Sequence, residues 1–508
     1  MIYLVEVTGA AAGGAITIFR YGTEGYVTLP TDTPANTYWE GRVKTPGLLR
    51  QSMFSSGRTS GESEVGYGVI ELVNNDGALD HLIDYAFDGW PLKIYTLEDE
   101  NAPFSSAVVR FSGTMEQAEF DDTLMVLRVR DLMQSLDKPI QTVTYAGTNV
   151  GASGLEGSSD SLKGKVKPLT FGTVFNVAPA QANTTALIYQ VNDGPISTCN
   201  VFDRGIALTK GTDYTSVTDM TDNVPAAGTY RVYPAGGYFR LGSTPSGMVT
   251  ADVVQSAAGT SVADTISAVS ERAGINPHTG IVQMQVYAPD ITALNTKNNA
   301  PVGIYINSET TVLQAISDLT NSIGAYCMFD NESRLRLGRL ELPSGTPDHT
   351  LDDWEILDIS RTVSSDTERG IPAYKVTVKY GRNYVVQTMT DIAAAAQVQS
   401  ERRGIDYRNA SNQDDSVKLQ YPLSEELVRE TLLVNEADAQ AEASRLLNIY
   451  KTRRDFFEVT CRTDKQIEIG QTVHVTYPRF LLNNGKLLRV LAVEPDYTLN
   501  RNILTLWG

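Results

Sequence analysis

Cysteine, histidine and positive charge are all scarce in this 508-residue chain. The three cysteines, Cys199, Cys327 and Cys461, are far apart, odd in number and form no CxxC pair. That excludes a disulfide framework and a zinc knuckle, and leaves buried free thiols in a reducing cytosol as the expectation. Four histidines occur, His81, His278, His349 and His474, with no two at i, i+4 and no HExxH. A zinc hydrolase is therefore unsupported, and each is expected to be a surface or packing residue. Lys and Arg number 42 against 60 Asp and Glu, a net charge of −18. Such a surface repels phosphate backbones and argues against specific nucleic-acid binding; otherwise it keeps the chain soluble. No apolar run approaches the roughly 18 residues of a membrane span, so no stable membrane insertion is expected. The opening Met1-Ile-Tyr-Leu-Val-Glu-Val lacks a basic region and a cleavage site. It reads as a strand, not a signal peptide.

Catalytic constellations are equally sparse. There is no GxSxG elbow. The nearest approach to a phosphate cradle, 157–165, puts Gly164-Lys165 at the wrong glycine spacing and follows it with Val166, so it reads as a loop. Asp330-Asn331-Glu332 lacks the remaining ligands of a calcium loop. Asp121-Asp122 falls at an expected hairpin tip, where solvent would not raise a carboxyl pKa. Carboxylates are abundant enough to leave a peptidoglycan-cleaving glycosidase as an alternative, but no pair stands out. The expectation is a non-enzyme with no catalytic or metal-binding residues and no cofactor.

What is present is apolar residue enough, 42%, to pack large cores, with turn signals closely spaced. The length suggests three to four domains at roughly 100–200 residues each. Residues 3–7 alternate and 15–19 follow a Gly/Ala-rich turn, which predicts a hairpin. Residues 31–64 hold much Thr, Ser, Pro and Gly with little periodicity and read as an extended loop, a candidate arm toward a neighbouring subunit. Residues 67–73 predict a strand ended by Asn74-Asn75-Asp76-Gly77, then a short helix carrying Leu79, Leu82, Ile83 and Phe87. Strands follow at 90–97, 108–120 and 123–130, with Leu127 and Val129 on one face and Arg128 and Arg130 on the other.

The Gly/Ser-rich stretch 146–164 is a linker candidate. Residues 165–255 are β-rich, with turns at Asn192-Asp193-Gly194, Asp203-Arg204-Gly205 and Ala235-Gly236-Gly237, which predicts a small barrel or sandwich. Ser261 caps a helix striped by Val262, Ile266, Val269 and Ala273 and ended by Gly274. A second stripe, Val312, Ala315, Ile316, Leu319 and Ile323, ends at Gly324. A hairpin over 326–340 follows, with Arg334 and Arg336 on its wet face. Residues 374–380 alternate, and 393–396 form a small apolar run. Asn435 should cap a helix whose inner face is Ala439, Ala443, Leu446, Leu447 and Tyr450, with Lys451, Arg453 and Arg454 at its negative end. Strands at 456–461, 472–477, 486–494 and 503–507 close the chain. The fold class is mainly β with some α: small barrels or sandwiches plus helix-hairpin modules. The expected units are 1–145 (barrel-like), 165–255 (inserted or peripheral, β-rich), 256–345 (α/β helix-hairpin) and 346–508 (barrel-like, with one long helix).

Four segments carry a resemblance. One is 66–85, with Gly68-Val-Ile-Glu-Leu-Val-Asn-Asn-Asp-Gly-Ala-Leu-Asp80, continued by Asp88-Gly-Trp-Pro-Leu-Lys-Ile94 and Val109-Arg-Phe-Ser-Gly-Thr-Met115. The second is Lys167-Pro-Leu-Thr-Phe-Gly-Thr-Val-Phe-Asn-Val177, the third the helix-to-hairpin unit 312–340, and the fourth Ile467-Glu-Ile-Gly-Gln-Thr-Val-His-Val475 with 499–508. In this order they resemble the tail-tip or baseplate hub proteins of siphophage-type bacteriophages and prophages. The resemblance spans most of the chain. It implies a homotrimer whose two barrels per chain form a ring of six modules, matching a six-fold tail tube above and a three-fold spike below. Its implied partners are a distal tail or tail tube protein, a tape measure protein and a separate spike or fibre protein. It implies assembly in the host cytoplasm, a place at the virion tail tip, and a channel through which DNA passes during ejection. An acidic channel wall would let DNA slide. Two departures are visible: the sequence ends just after its last expected barrel strand, where lambdoid tip proteins continue into fibre-like regions, and it lacks the clustered cysteines of the iron–sulfur tip protein. A surface adhesin or carbohydrate-binding protein is the other reading.

Overall fold

Alternating side chains build the first barrel. Ile2–Ala10 pairs antiparallel with Ile16–Gly22 and with Pro91–Leu97, and the ring continues through Val108–Met115 and Leu124–Arg130 to Tyr67–Val73. It closes through a kinked segment. Tyr38–Gly41 runs parallel to Ile16–Gly22, the chain bends at Arg42, and Val43–Thr45 then pairs antiparallel with Tyr67–Val73. Val5, Val7, Ile70, Leu72, Leu127 and Val129 face inward and are buried; Arg128, between two of them, faces out. A smaller core of Ile2, Leu4, Tyr26, Trp39 and Leu97 lies beside it. This computed structural model describes residues 1–508 apart from 48, 55–57, 61–65, 131, 150–153, 257–258, 275–284, 331–332, 364–369, 463–464, 497–498 and 500. Overall the protein is mainly β, 39% strand and 17% helix.

Two local expectations in this unit change. The helix after Gly77 is a 3-10 helix, Asp80–Asp84. Its three-residue turn stacks Leu79 over Leu82 and swings Ile83 out to 57% exposure. The 31–64 segment is also not a plain loop. Besides the kinked closing strand it contains Leu49–Ser52, which pairs first with Tyr67–Val73 and then with Lys486–Asp496 near the other end of the chain. Beyond it, Met53 N donates to Leu491 O at 2.8 Å, the Thr59 and Tyr450 hydroxyls lie 3.0 Å apart, and Arg429 donates to Ser60 at 2.8 Å. The arm reaches a distant part of its own chain. Strands this short are fixed by their partners more than by their own propensity, which is why the composition reads as loop.

Residues 169–254 form a sandwich of two five-stranded sheets, one of which borrows Gly303–Ile306 as an edge. The long strand Leu169–Val177 serves two cores. Leu169 and Phe171 lie in a central core, Val174 and Val177 in the sandwich. Gly172 makes the change-over at φ +70°, and a Cβ there would meet the Val302 carbonyl oxygen at 2.0 Å, so only glycine fits. The 146–164 stretch lies along the sandwich instead of bridging freely, with Gly157 N donating to Ala182 O at 2.9 Å and Leu155 and Leu162 packed beside Tyr145.

The central core collects Val262–Ser270, Val312–Asn321, the hairpin Ala325–Phe329/Leu335–Arg339, the sheet Arg408–Gln413/Lys375–Tyr380/Glu426–Glu430 and the helix Glu436–Tyr450. The 346–508 span thus divides between two cores, with its long helix in this one. Ser261 caps the first helix by accepting from Asp264 N at 3.1 Å. Asn435 sits at the cap position of the long helix but donates to Asp438 at 3.0 Å, so its side chain does not cap the backbone as expected. Glu442, on the apolar face of that helix with 1% of its side chain exposed, is held by Arg445 at 2.6 Å and Arg339 at 3.0 Å. Arg445 also donates to the carbonyls of Ile323 and Leu340, tying the helix to the hairpin unit. A segment the sequence left almost blank, residues 381–407, straps the sandwich: Arg403 stacks 4.1 Å from the centre of Phe202, and Ala393 N donates to Arg204 O.

The second barrel is His349–Leu351 parallel to Thr472–Val475, followed antiparallel by Lys486–Asp496, Arg501–Trp507, Asp455–Cys461 and Ile356–Val363. Residues 352–355 bend the chain between its first and last staves. Val459, Val473, Val490, Leu504 and Leu506 fill it.

Candidate functional site: the three-core junction

The first barrel, the central core and the second barrel meet around a half-open cleft of about 160 Å³. Each contributes a wall. The first barrel supplies Gln51, Arg110 and Phe111; the hairpin unit supplies Asp290, Tyr326, Met328, Asp330, Arg334, Arg336 and Leu337; the second barrel supplies Ile467, Glu468, Ile469, Val493 and Pro495. Three of the four segments singled out by resemblance converge here; the Lys167–Val177 segment, which turns at Gly172, does not line it.

Alternation along Leu335–Arg339 buries Leu335 and Leu337 and places Arg336 on the other face. That face, expected to be simply wet, carries an ion-pair cluster. Arg336 grips Asp290 with two bonds, 2.6 and 3.1 Å, and reaches Asp330 at 3.3 Å. Arg334 holds Asp330 at 2.7 Å. Both guanidinium groups lie 4.9 Å from the Tyr287 ring. The bonds to Asp290 hold the Arg336 pKa above its usual value. Asp290 enters from Ala288–Lys297, a weakly patterned helix the sequence did not announce. Tyr326 lies across its strand partner Gly338, where a Cβ would come within 2.3 Å of the ring, and burial pushes its hydroxyl up to about 12.

Arg110 differs from these arginines. Its Nε donates to Thr96 at 2.8 Å, and among the described residues no carboxylate lies within ion-pair distance of it. The arrangement offers shape, an apolar floor and one cation without an acidic partner. Among the described residues it offers no nucleophile with an adjacent base.

The residues the sequence weighed for chemistry are dispersed. Cys199, Cys327 and Cys461 are buried in three different cores, and burial raises every thiol, to about 12 for Cys199 and Cys461. His81 is exposed, with Nδ1 2.8 Å from Ala78 O; His349 and His474 lie on neighbouring strands of the second barrel; His278 is outside the described residues. Asp121 closes its hairpin by accepting from the backbone of Thr123 and Leu124, and those bonds lower its pKa. Residues 157–165 turn alongside the sandwich, with Tyr145 N donating to Lys165 O. Asp330 belongs to the ion-pair cluster, while Asn331 and Glu332 lie outside the described residues. Among the described residues no group of three or more His, Cys, Asp or Glu could hold a metal, and no helix is long and apolar enough to cross a membrane.

No family profile matches the chain and no curated protein resembles it in sequence. Among solved structures it is similar to a tail protein from Neisseria meningitidis, at 11% identity over 100% of this chain and 96% of that one, with a TM-score of 0.43. It is also similar to a prophage tail protein from Listeria monocytogenes (9%, 100% and 94%, 0.39) and to the 43 kDa tail protein of prophage MuSo2 from Shewanella oneidensis (9%, 93% and 94%, 0.38).

Proposed function

We propose that this chain is a structural component of a bacteriophage tail tip or baseplate, a hub that joins the end of the tail tube to a separate spike or fibre. The observation that carries this reading is the pair of barrels in one chain. Each closes through a kinked segment whose first half is parallel-paired and whose second half is antiparallel-paired, and Leu49–Ser52 stitches the two into one continuous sheet. Three such chains supply six comparable modules, the number needed to pass from a six-fold tube to a three-fold spike. The order of the four resembling segments supports the same reading. The tube-end, tape measure and spike or fibre proteins are then its neighbours, and the net charge of −18 suits a channel wall along which DNA slides.

Immunogold electron microscopy of particles from an induced culture, with an antibody to this chain, tests the location. Gold at the far end of tails is expected. Labelled cell surfaces with unlabelled tails would overturn the hub in favour of an adhesin. Light scattering on the purified chain tests the trimer separately.

A further inference from the structure

The junction cleft has the chemistry of a binding site, and this goes beyond the hub reading. Its acids are already engaged: Asp290 and Asp330 are held by Arg336 and Arg334 at 2.6–3.3 Å. Glu468 stands exposed at the rim, where solvent screens it. What remains is the half-buried Arg110, anchored through Nε by Thr96, and the half-buried apolar side chains Ile469, Val493 and Pro495 of the second barrel. A fixed fork of donors beside an apolar floor fits a carboxylate carried on an apolar body, because the fork pairs two oxygens while the floor removes the body from water.

We propose that the cleft binds an apolar carboxylate, with Arg110 pairing the carboxylate and Ile469, Val493 and Pro495 packing the attached hydrocarbon or ring. The shared chemistry has two sources: a free arylalkanoic acid, or the C-terminal residue of a peptide ending in an apolar side chain. Such a ligand bridges the first and second barrels, so binding also adds contacts between bodies that Leu49–Ser52 joins by backbone pairing.

The test uses the full chain and 4-fluorophenylacetate, read by fluorine NMR, with 4-fluorophenylacetamide as the neutral isostere. Saturable binding of the acid is expected, at least tenfold tighter than the amide, together with a rise in the thermal midpoint. Arg110→Gln should abolish that preference and Arg110→Lys should restore part of it, each shift in the thermal midpoint being read against the same variant's ligand-free melt. A short peptide ending in Phe, compared with its C-terminal amide and with the free acid, separates the two sources. Equal affinity for acid and amide, an unaltered preference in Arg110→Gln, or no saturable binding at millimolar probe would each overturn the proposal. None of these readouts depends on where the chain sits in a virion, so failure here leaves the hub reading standing, and failure of the hub reading leaves this site to be judged on its own.

Discussion

The two barrels close by the same device and secure it differently. In the first, the cation at the kink is the kink's own residue: Arg42 donates to Glu40 at 2.6 Å, to the Val73 carbonyl at 3.0 Å and to both oxygens of Asp76 at 2.9 Å. Both carboxylates lie in solvent reach, with 44% and 59% of their side chains exposed. In the second, the acid is the kink's own residue and is buried. Glu355, with 2% of its side chain exposed, is gripped by Lys465 at 2.7 and 2.9 Å, and the same ammonium donates to Thr350 O. The fillings differ as well. The first barrel carries an aromatic annex in which Trp39 packs with Tyr95 and Phe104; the interior of the second is largely aliphatic. Identical closures therefore tolerate opposite placements of charge, with the same mutation expected to matter most where the carboxylate is dry.

The sharpest way to break the comparison is to remove the tryptophan anchor that the first barrel has and the core of the second lacks. Trp39→Ala empties a fully buried site and should cost about 3–5 kcal/mol in chemical denaturation. A loss under about 1 kcal/mol would mean that the annex contributes nothing to closure. Next in size is Lys465→Met. Stripping the cation from a buried carboxylate should cost about 3 kcal/mol, against about 1 kcal/mol or less for Arg42→Met, whose partners are solvated. Equal losses would show that burial of the acid does not distinguish the two kinks. The smallest effect is in acid. Asp32 accepts from Leu29 and Phe104 N–H groups, Asp76 from Arg42 and Asp121 from Thr123, and each carboxyl is held below its ordinary value. A folded-state pKa that is depressed stabilises fully above the unfolded value near 4 and is lost as pH falls through the folded one. The first barrel should hold from neutral pH down to about 4 and weaken only below. Buried Trp39, in the annex of the first barrel, reports it once the other tryptophans are changed to Phe, and loss of its signal beginning above about pH 4 would contradict this.

Much of this architecture is legible in residue order because one face of each element is dry. Period-two burial in Leu124–Arg130 and the stripe of Val312–Asn321 follow directly from their apolar spacing. What was hidden lacks such contrast. Leu49–Ser52 is four residues in a polar stretch and becomes a strand only because two partners flank it. Ala288–Lys297 buries only Leu294, so its pattern is faint. Glu442 sits on an apolar stripe where sequence offers no sign that Arg339 of the hairpin will join Arg445 of its own helix in meeting it. The junction cleft draws on residues from Gln51 to Pro495, so spacing could not assemble it, although the segments that form it were already conspicuous by resemblance.

The stitch between the barrels also imposes a schedule. Ser52 pairs with Ala492, about 440 residues later in the chain. At a synthesis rate of roughly 5–20 residues per second, the first barrel's last exposed edge waits about 20–90 s for its partner to leave the ribosome. During that interval Gln51 and Ser52 present unpaired backbone to everything nearby. A ribosome stalled before the final strands would release a chain whose first barrel is nearly finished and still open to pairing with a stranger.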